Sequence, residues 1–236
     1  MNIDVAYYTA VGGRDKNEDF ISLLENNNRF IAIAADGLGG HAAGEIASHL
    51  AVNTINSVLI DKEMSISTLE ESIDTANRAI ISDESSDSMR TTIAVAWVSM
   101  DRALFATIGD TRIYHFRNND IVYQSIDHSV SQMSVMAGEI APHQIRGHKD
   151  RNKLVRVLGN KERVKADIVK AKLEPRDAIL ICSDGFWENI IENEMCRTLS
   201  HSKNSKEWLR QMRQIVDSVT FGSHDNHSAI AFFINR

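Results

Sequence analysis

The chain has 236 residues, 32 acidic and 26 basic, for a formal net charge of −6. With 43% apolar and 25% charged residues it has the composition of a globular protein with enough apolar material for a core, which excludes a disordered chain. The acidic balance and the lack of a basic block argue against a surface that tracks nucleic-acid phosphates, and no apolar run reaches the roughly 18 residues of a membrane span.

The first residues, MNIDVAYYTA, lack the basic and apolar regions of a signal peptide. Cys182 and Cys196 make neither a disulfide framework nor a CxxC pair. A reduced, cytoplasmic protein is expected. The two prolines, Pro142 and Pro175, and the absence of a linker-like tract predict one continuous domain over residues 1–236.

In chain order, the apolar run at residues 31–35, bounded by Asp36-Gly37, predicts a buried strand. A helix is expected from about Gly44, with Ile46, Ala47, Leu50, Ala51, Ile55 and Val58 on one face. A second helix starts at a capping box, Ser67-Thr68-Leu69-Glu70. Residues 93–98, 103–108, 113–116 and 121–123 form four short strand candidates separated by turn residues, which predicts an antiparallel meander. A short helix from Ser129 ends at Gly138, and another is expected over 150–158 with Gly159 as its cap. The last third brings a strand over 164–169, an apolar strand at 178–182, a helix carrying Trp208, Leu209, Met212, Ile215, Val216 and Val219, and a closing strand at 229–234. Clustered strands and paired helices, rather than strict alternation, predict an α+β fold with antiparallel sheets covered by helix pairs.

The chemistry is concentrated at strand ends. Asp36, Asp110, Asp184 and Asp225 each border an apolar strand. A single Asp there is an ordinary turn former. Four of them suggest a shared role, because a lone carboxylate beside a buried strand is costly. All-oxygen ligation suits Mg²⁺ or Mn²⁺ rather than zinc, and no HExxH-type pair is present. Two such ions would clamp a phosphate for in-line attack by water. In Arg14-Asp15-Lys16-Asn17-Glu18-Asp19, Arg14 has the planar fork for bidentate phosphate contact. The glycine-rich 36–45 segment lacks the spacing and the Lys of an NTP-binding loop.

The ordered set Arg14-x-x-x-Glu18-Asp19, Asp36-Gly37-x-Gly39-Gly40, Thr91-Thr92, Gly109-Asp110-Thr111-Arg112, Asp127-His128-Ser129, Ser183-Asp184-Gly185 and Asp225-Asn226 resembles the metal-dependent phosphatases of the protein phosphatase 2C family. The resemblance runs from about residue 6 to the end. It implies a four-layer α-β-β-α sandwich of two antiparallel sheets flanked by helix pairs, with a binuclear Mn²⁺/Mg²⁺ centre at one end. It implies that Asp36 bridges the ions, Asp184 and Asp225 complete the ligands of the first ion, and Glu18 and the Gly37 carbonyl hold the second ion. Asp19 would orient metal-bound water and Arg14 would grip the substrate phosphate. Asp110, with Asp184, matches the third, looser metal position often found in bacterial members. The implied activity is hydrolysis of phosphoserine and phosphothreonine monoesters by a metal-bridging hydroxide, with a phosphorylated protein as substrate and a cognate Ser/Thr kinase as opponent.

The sequence departs from the family pattern in places. Arg90 stands where members carry Gly before the Thr-Thr pair, Thr111 replaces Ser, and Leu38 stands where eukaryotic members place a His, with His41 three residues on. Residues 133–151 are expected to form a mobile flap. Residues 183–188 and the Trp208 helix further resemble the type VI secretion-associated phosphatases. Two alternatives are a regulatory phosphatase acting on an anti-sigma antagonist and a catalytically dead phosphatase-fold binding module; the latter conflicts with the retained Glu18, Asp36, Asp184 and Asp225. The six carboxylates Glu18, Asp19, Asp36, Asp110, Asp184 and Asp225 equal the chain's formal excess of −6. The acidic balance then marks an expected metal centre rather than a generally acidic surface.

Overall fold

Strand β3 (Arg29–Leu38) carries its apolar run because both of its faces are covered. Ala32 and Ala34 point into the space between two sheets, while Ile31, Ile33 and Ala35 point towards helices. A strand buried on both faces reads as a continuous apolar run rather than an alternating one. The computed structural model describes residues 2–26, 29–39, 43–83, 89–161, 163–220, 222 and 224–235.

One antiparallel sheet has β3 beside β2 (Asp19–Asn26) on one side and β5 (Ile93–Ser99), β6 (Arg102–Ile108) and β9 (Asp167–Lys172) on the other. The two-residue β4 (Arg90–Thr91) pairs with the end of β3. The other sheet has the order β1 (Ile3–Ala10), β11 (His227–Ile234), β10 (Ala178–Cys182), β7 (Arg112–Arg117), β8 (Asp120–Gln124), again antiparallel. Between the sheets, Phe30 and Phe105 meet Ile113, Ile179, Ile230 and Phe232, with the Phe30 and Phe232 rings edge to face.

Helices α1 (Ala43–Leu59) and α2 (Ile66–Ser82) cover the outer face of the β3 sheet. Helices α5 (Glu192–Ser200) and α6 (Ser205–Val219) cover the outer face of the β10 sheet. The Trp208 indole N–H donates to the Met195 carbonyl at 3.1 Å and ties α6 to α5. This is the expected four-layer α-β-β-α sandwich, with an apolar core at each of its three interfaces.

Several local expectations shift. The α1 face is Ala47, Ala51, Val52, Ile55 and Leu59, while Ile46 is exposed, so the helix is rotated by about one residue from the expected stripe. Ser65, not Ser67, caps α2 by accepting from the Thr68 amide. The four middle strands are two hairpins in different sheets rather than one meander, and Gly109-Asp110-Thr111 carries the chain across. Residues 150–158 are not helical. Leu154 and Leu158 have helical spacing, but Leu154 bridges to Ser129 and Leu158 to Thr91, so the backbone bonds go outward. The expected strand over 164–169 starts instead at Asp167, because Val164 is buried in the α1–α2 core. The short helix α3 (Val130–Met136) begins at its Ser129 cap, and the chain turns at Gly138, as expected.

Candidate active site

The acidic residues arrive at one end of the sandwich because strands of both sheets end there. Asp19 and Asp36 are direct partners across the β2–β3 ladder. The Gly37 amide donates to the Glu18 carbonyl at 3.1 Å. Gly37 also permits a close approach that no other residue would, since a Cβ there would lie 2.1 Å from the Gly44 carbonyl oxygen of α1. The Asp36 backbone is clamped by the two threonines. Its amide donates to Thr92 Oγ1 at 2.9 Å, and its carbonyl accepts from Thr91 Oγ1 at 2.8 Å and from the Thr92 amide at 2.9 Å. Arg90 in place of Gly does not prevent this, and it pairs with Leu38 in β4.

Asp110 follows Gly109, whose φ of +94° is in the left-handed region and whose missing Cβ leaves room for Thr92. The Asp110 carbonyl accepts from the Trp187 indole at 2.9 Å. Asp184 opens α4 (Asp184–Trp187), a single turn directly after β10. Ser183 donates to Asp19 Oδ2 at 2.7 Å, so the two sheets are joined at the site itself. Asp225 accepts a two-pronged contact from Arg14, with Nε at 3.0 Å and Nη2 at 2.8 Å. Both side chains sit on the solvent rim, Arg14 at 54% exposure.

Two positioning groups have no role in the sequence reading. Asn226 accepts from the Glu18 amide and donates to the Val11 and Lys16 carbonyls, which straps the Arg14–Glu18 loop to the end of β11. Arg112 forks onto Asp127 at 2.8 and 2.6 Å, donates to the Tyr114 hydroxyl and lies 3.4 Å over the Trp187 ring. The signal for both was present, since each lies inside a quoted motif. Their partners are too distant in sequence to be read from spacing.

Asp19, Asp110 and Asp184 are each more than nine-tenths buried. Burial, the largest cause, together with the repulsion of neighbouring carboxylates, raises their pKa values. Asp19 is pushed up to about 6 and Asp184 to about 7. Asp36 and Asp110 are held well above the usual carboxylate range, with Asp184 the leading neighbour in both cases. Glu18 is raised by burial and by Asp225, towards the Arg14 edge of the cluster.

This is uncompensated negative charge built from hard oxygen donors, which is what a divalent cation of the Mg²⁺ or Mn²⁺ type balances. Asp19 Oδ1 makes the same point, being buried with no hydrogen-bond partner. The residues present fit such an ion. Among the described residues no three carboxyl, imidazole or thiol groups are already drawn into a closed chelate, and Asp225 faces Arg14. Cys182 is fully buried and its thiol is pushed up by burial, which removes it as a nucleophile.

The profile of the protein phosphatase 2C family matches residues 12–226. The chain belongs to this family. The serine/threonine phosphatase stp of Listeria welshimeri is 30% identical over 224 residues, covering 90% of this chain and 88% of that one. The structure of the Streptococcus agalactiae serine/threonine phosphatase superposes with a TM-score of 0.88 at 26% identity, covering 99% of this chain and 100% of that chain. PppA of Pseudomonas aeruginosa, described as a key regulatory component of T6SS, superposes with a TM-score of 0.81 at 25% identity, covering 99% of this chain and 98% of that chain.

This protein phosphatase 2C member has a hydrolase's site at the end of its sandwich, as the motif order implies. Leu38 closes β3 without an imidazole, and Gly40 and His41 lie outside the described residues. The expected flap at 133–151 is tied down at two points. Arg146 donates to the Trp187 and Ile190 carbonyls and to Glu192, and Arg151 donates to Glu188. Ile145, next to Arg146, is buried. No helix among the described residues is long and apolar enough to cross a membrane.

The raised carboxyls predict a pH-dependent response to metal. A carboxyl whose folded pKa is raised contributes stability that is complete below its unfolded value of about 4 and is lost as pH rises through the folded value, so the metal-free fold loses this contribution between about pH 4 and 7. His128 and His227, lowered by burial, act in the opposite sense over part of the same window. They cancel when melting temperatures with and without Mn²⁺ are compared at each pH. Cation binding must expel protons from Asp19 and Asp184 at pH 5.5 and far fewer at pH 7.5. The Mn²⁺-induced rise in melting temperature is therefore larger at pH 7.5 than at pH 5.5. Equal shifts would contradict the assignment.

Proposed function

We propose that this protein phosphatase removes phosphate from phosphoserine and phosphothreonine side chains of proteins, using Mn²⁺ or Mg²⁺ held by Asp36, Asp184 and Asp225 on one side and by Glu18 and the Gly37 carbonyl on the other. Asp110 and Asp184 offer a third position. The observation that carries this reading is the meeting of carboxylates from both sheets in one buried, uncompensated cluster. Metal dependence is a property of the family. When bound, the ions would supply Lewis-acid charge for the phosphate oxygens and activate a water for in-line attack.

The chain's own residues do the rest. Asp19 is fixed by the Ser183 hydroxyl through one oxygen, which leaves Oδ1 to orient a water or hold its proton. Arg14 stands at the rim, where its fork meets a carboxylate now and matches two phosphate oxygens equally well. The buried Cys182 thiol, and the absence of a Ser–His pair in the site among the described residues, fit direct attack by water. The whole of residues 1–236 serves as one catalytic domain acting in the cytoplasm, opposite a Ser/Thr kinase.

Arg14 supplies the test. Arg14→Ala should raise KM for a phosphothreonine peptide about 10- to 100-fold, the value of one charge-assisted bidentate contact of roughly 1.5–3 kcal/mol. Arg14→Lys keeps the charge but loses the fork, so it should recover only part. Steady-state kinetics that leave KM unchanged in both variants would remove Arg14 from substrate binding. A narrower reading places the enzyme in type VI secretion control, supported by the likeness to PppA and by the 183–188 segment. Genes for a membrane kinase and a forkhead-associated-domain protein beside this one would support it; their absence from the locus would count against it.

A further inference from the structure

We infer that the basic groove between α2 and residues 155–161 and 163–165 binds an acidic stretch of the phosphoprotein substrate, flanking the phosphorylated residue. Two adjoining cavities of about 420 and 430 Å³ share Arg163, Val164 and Lys165 in their walls. The charged walls are Arg156, Lys161, Arg163 and Lys165, faced by Glu70 and Asp74 at the α2 end. The cavity nearer Arg156 has no acidic wall among the described residues. In a chain of net charge −6, residues 149–165 hold seven Lys and Arg against two acids. They are interrupted by apolar, amide and acidic residues, so no two of them are adjacent in the sequence.

The charge in the groove is partly free. Arg156 is committed to Asp167 at 2.8 Å and Arg163 to Asp74 at 3.1 Å. Lys161 and Lys165 are exposed and make no ion pair with any described residue. Residues beside each of them are held in place. The Gly159 amide donates to Asn77 Oδ1 at 2.7 Å, Asn77 Nδ2 donates back to the Asn160 carbonyl at 3.2 Å, and Val164 is buried in the α1–α2 core. A preorganised wall loses little freedom on binding.

The groove is also connected to the site. Leu158, two residues from the groove-lining Arg156 and Asn160, exchanges backbone hydrogen bonds with Thr91, and the Thr91 hydroxyl donates to the Asp36 carbonyl. On this inference, the flank of a phosphoprotein bound at the site runs across this frame to the free lysines. An acidic peptide fits this chemistry better than a nucleic acid, because no aromatic side chain lines either cavity to stack on a base. The inference rests on the phosphatase reading above and extends it to a substrate preference.

The experiment compares two phosphothreonine peptides, one flanked by Asp and Glu and one by Gly and Ser, on the wild type and on the K161E/K165E double variant, with p-nitrophenyl phosphate as the flank-free control. The wild type should show kcat/KM at least tenfold higher for the acidic peptide, expressed through KM and fading in 0.5 M salt. The double variant should lose or invert this preference while hydrolysing p-nitrophenyl phosphate like the wild type. No preference in the wild type, or one that survives charge reversal, overturns the inference. So does inhibition by a thymidine oligonucleotide without inhibition by a phosphate-free acidic peptide. If Mn²⁺ supports no p-nitrophenyl phosphate hydrolysis at all, the phosphatase reading fails by itself. Fluorescence anisotropy of the phosphate-free acidic peptide on the wild type and the double variant then still decides the groove.

Discussion

Asp184→Asn is expected to abolish nearly all turnover while raising the melting temperature of the metal-free protein. The Asp184 carboxylate lies in a cluster where burial and its neighbours already press it towards protonation, up to about 7. An amide of the same shape keeps the contact with the Gly185 amide, now 2.6 Å from Oδ1, and removes one charge from a set that repels itself. The fold gains. The cost falls on the cation, which loses an anionic donor at a position shared by two proposed ion sites. An ion that contributes several kcal/mol to charge stabilisation in the transition state is worth on the order of 10³-fold in rate or more. Asp36→Asn should behave likewise, because Asp184 is the leading neighbour that raises Asp36. The check is kcat for a phosphothreonine peptide beside thermal melts in chelator. Loss of activity together with loss of metal-free stability would point to a structural role instead.

The largest effect on stability should come from Arg112→Ala. Its side chain is 3% exposed and that of Asp127 is 2%, and the two form a forked pair inside the protein. Removing one partner of such a pair leaves a buried charge unbalanced and costs roughly 3–5 kcal/mol. At about 2–4 °C per kcal/mol for a chain of this size, the melting temperature should fall by about 10 °C. Removing both partners in R112A/D127A should cost less than the sum of the single changes, because no orphan charge remains. Activity should also fall. Arg112 packs on Trp187, whose indole holds the Asp110 carbonyl, and Arg112 lies two residues from Asp110 itself. A melting temperature within 2 °C of wild type in Arg112→Ala would contradict this account.

The parts of the fold that were legible in the sequence are those with a local cause. The 31–35 run could be read as a strand because both of its faces are buried, and Asp36 stands out because it ends that run. Ser129 caps α3 through a hydroxyl three residues from its partner amide. The order of short motifs also sufficed to place the acidic residues together. Pairing partners distant in the chain were not legible. The 93–123 strands look like a meander because each turn is short, yet register places the two hairpins in different sheets. Residues 150–158 carry helical spacing, but Thr91 and Ser129, tens of residues upstream, compete for their backbone groups and win. The same reason hid the Asn226 strap and the Arg112–Asp127 fork. It also hid the basic groove, whose wall opposite α2 is set when Gly159 and Asn160 dock on Asn77, more than eighty residues upstream.

The acidic balance of the chain thus has two aspects. Carboxylates concentrate where the strands of both sheets end, and cations concentrate in the groove against α2. The first of these is the central claim, and calorimetric titration of chelator-stripped protein with Mn²⁺, run beside p-nitrophenyl phosphate hydrolysis over the same concentrations, tests it most directly. The account predicts binding of at least two ions, hydrolysis that appears over the same range, and the loss of both in Asp36→Asn. Undiminished hydrolysis in the stripped protein, or Asp36→Asn that binds Mn²⁺ and turns over like the wild type, would contradict it.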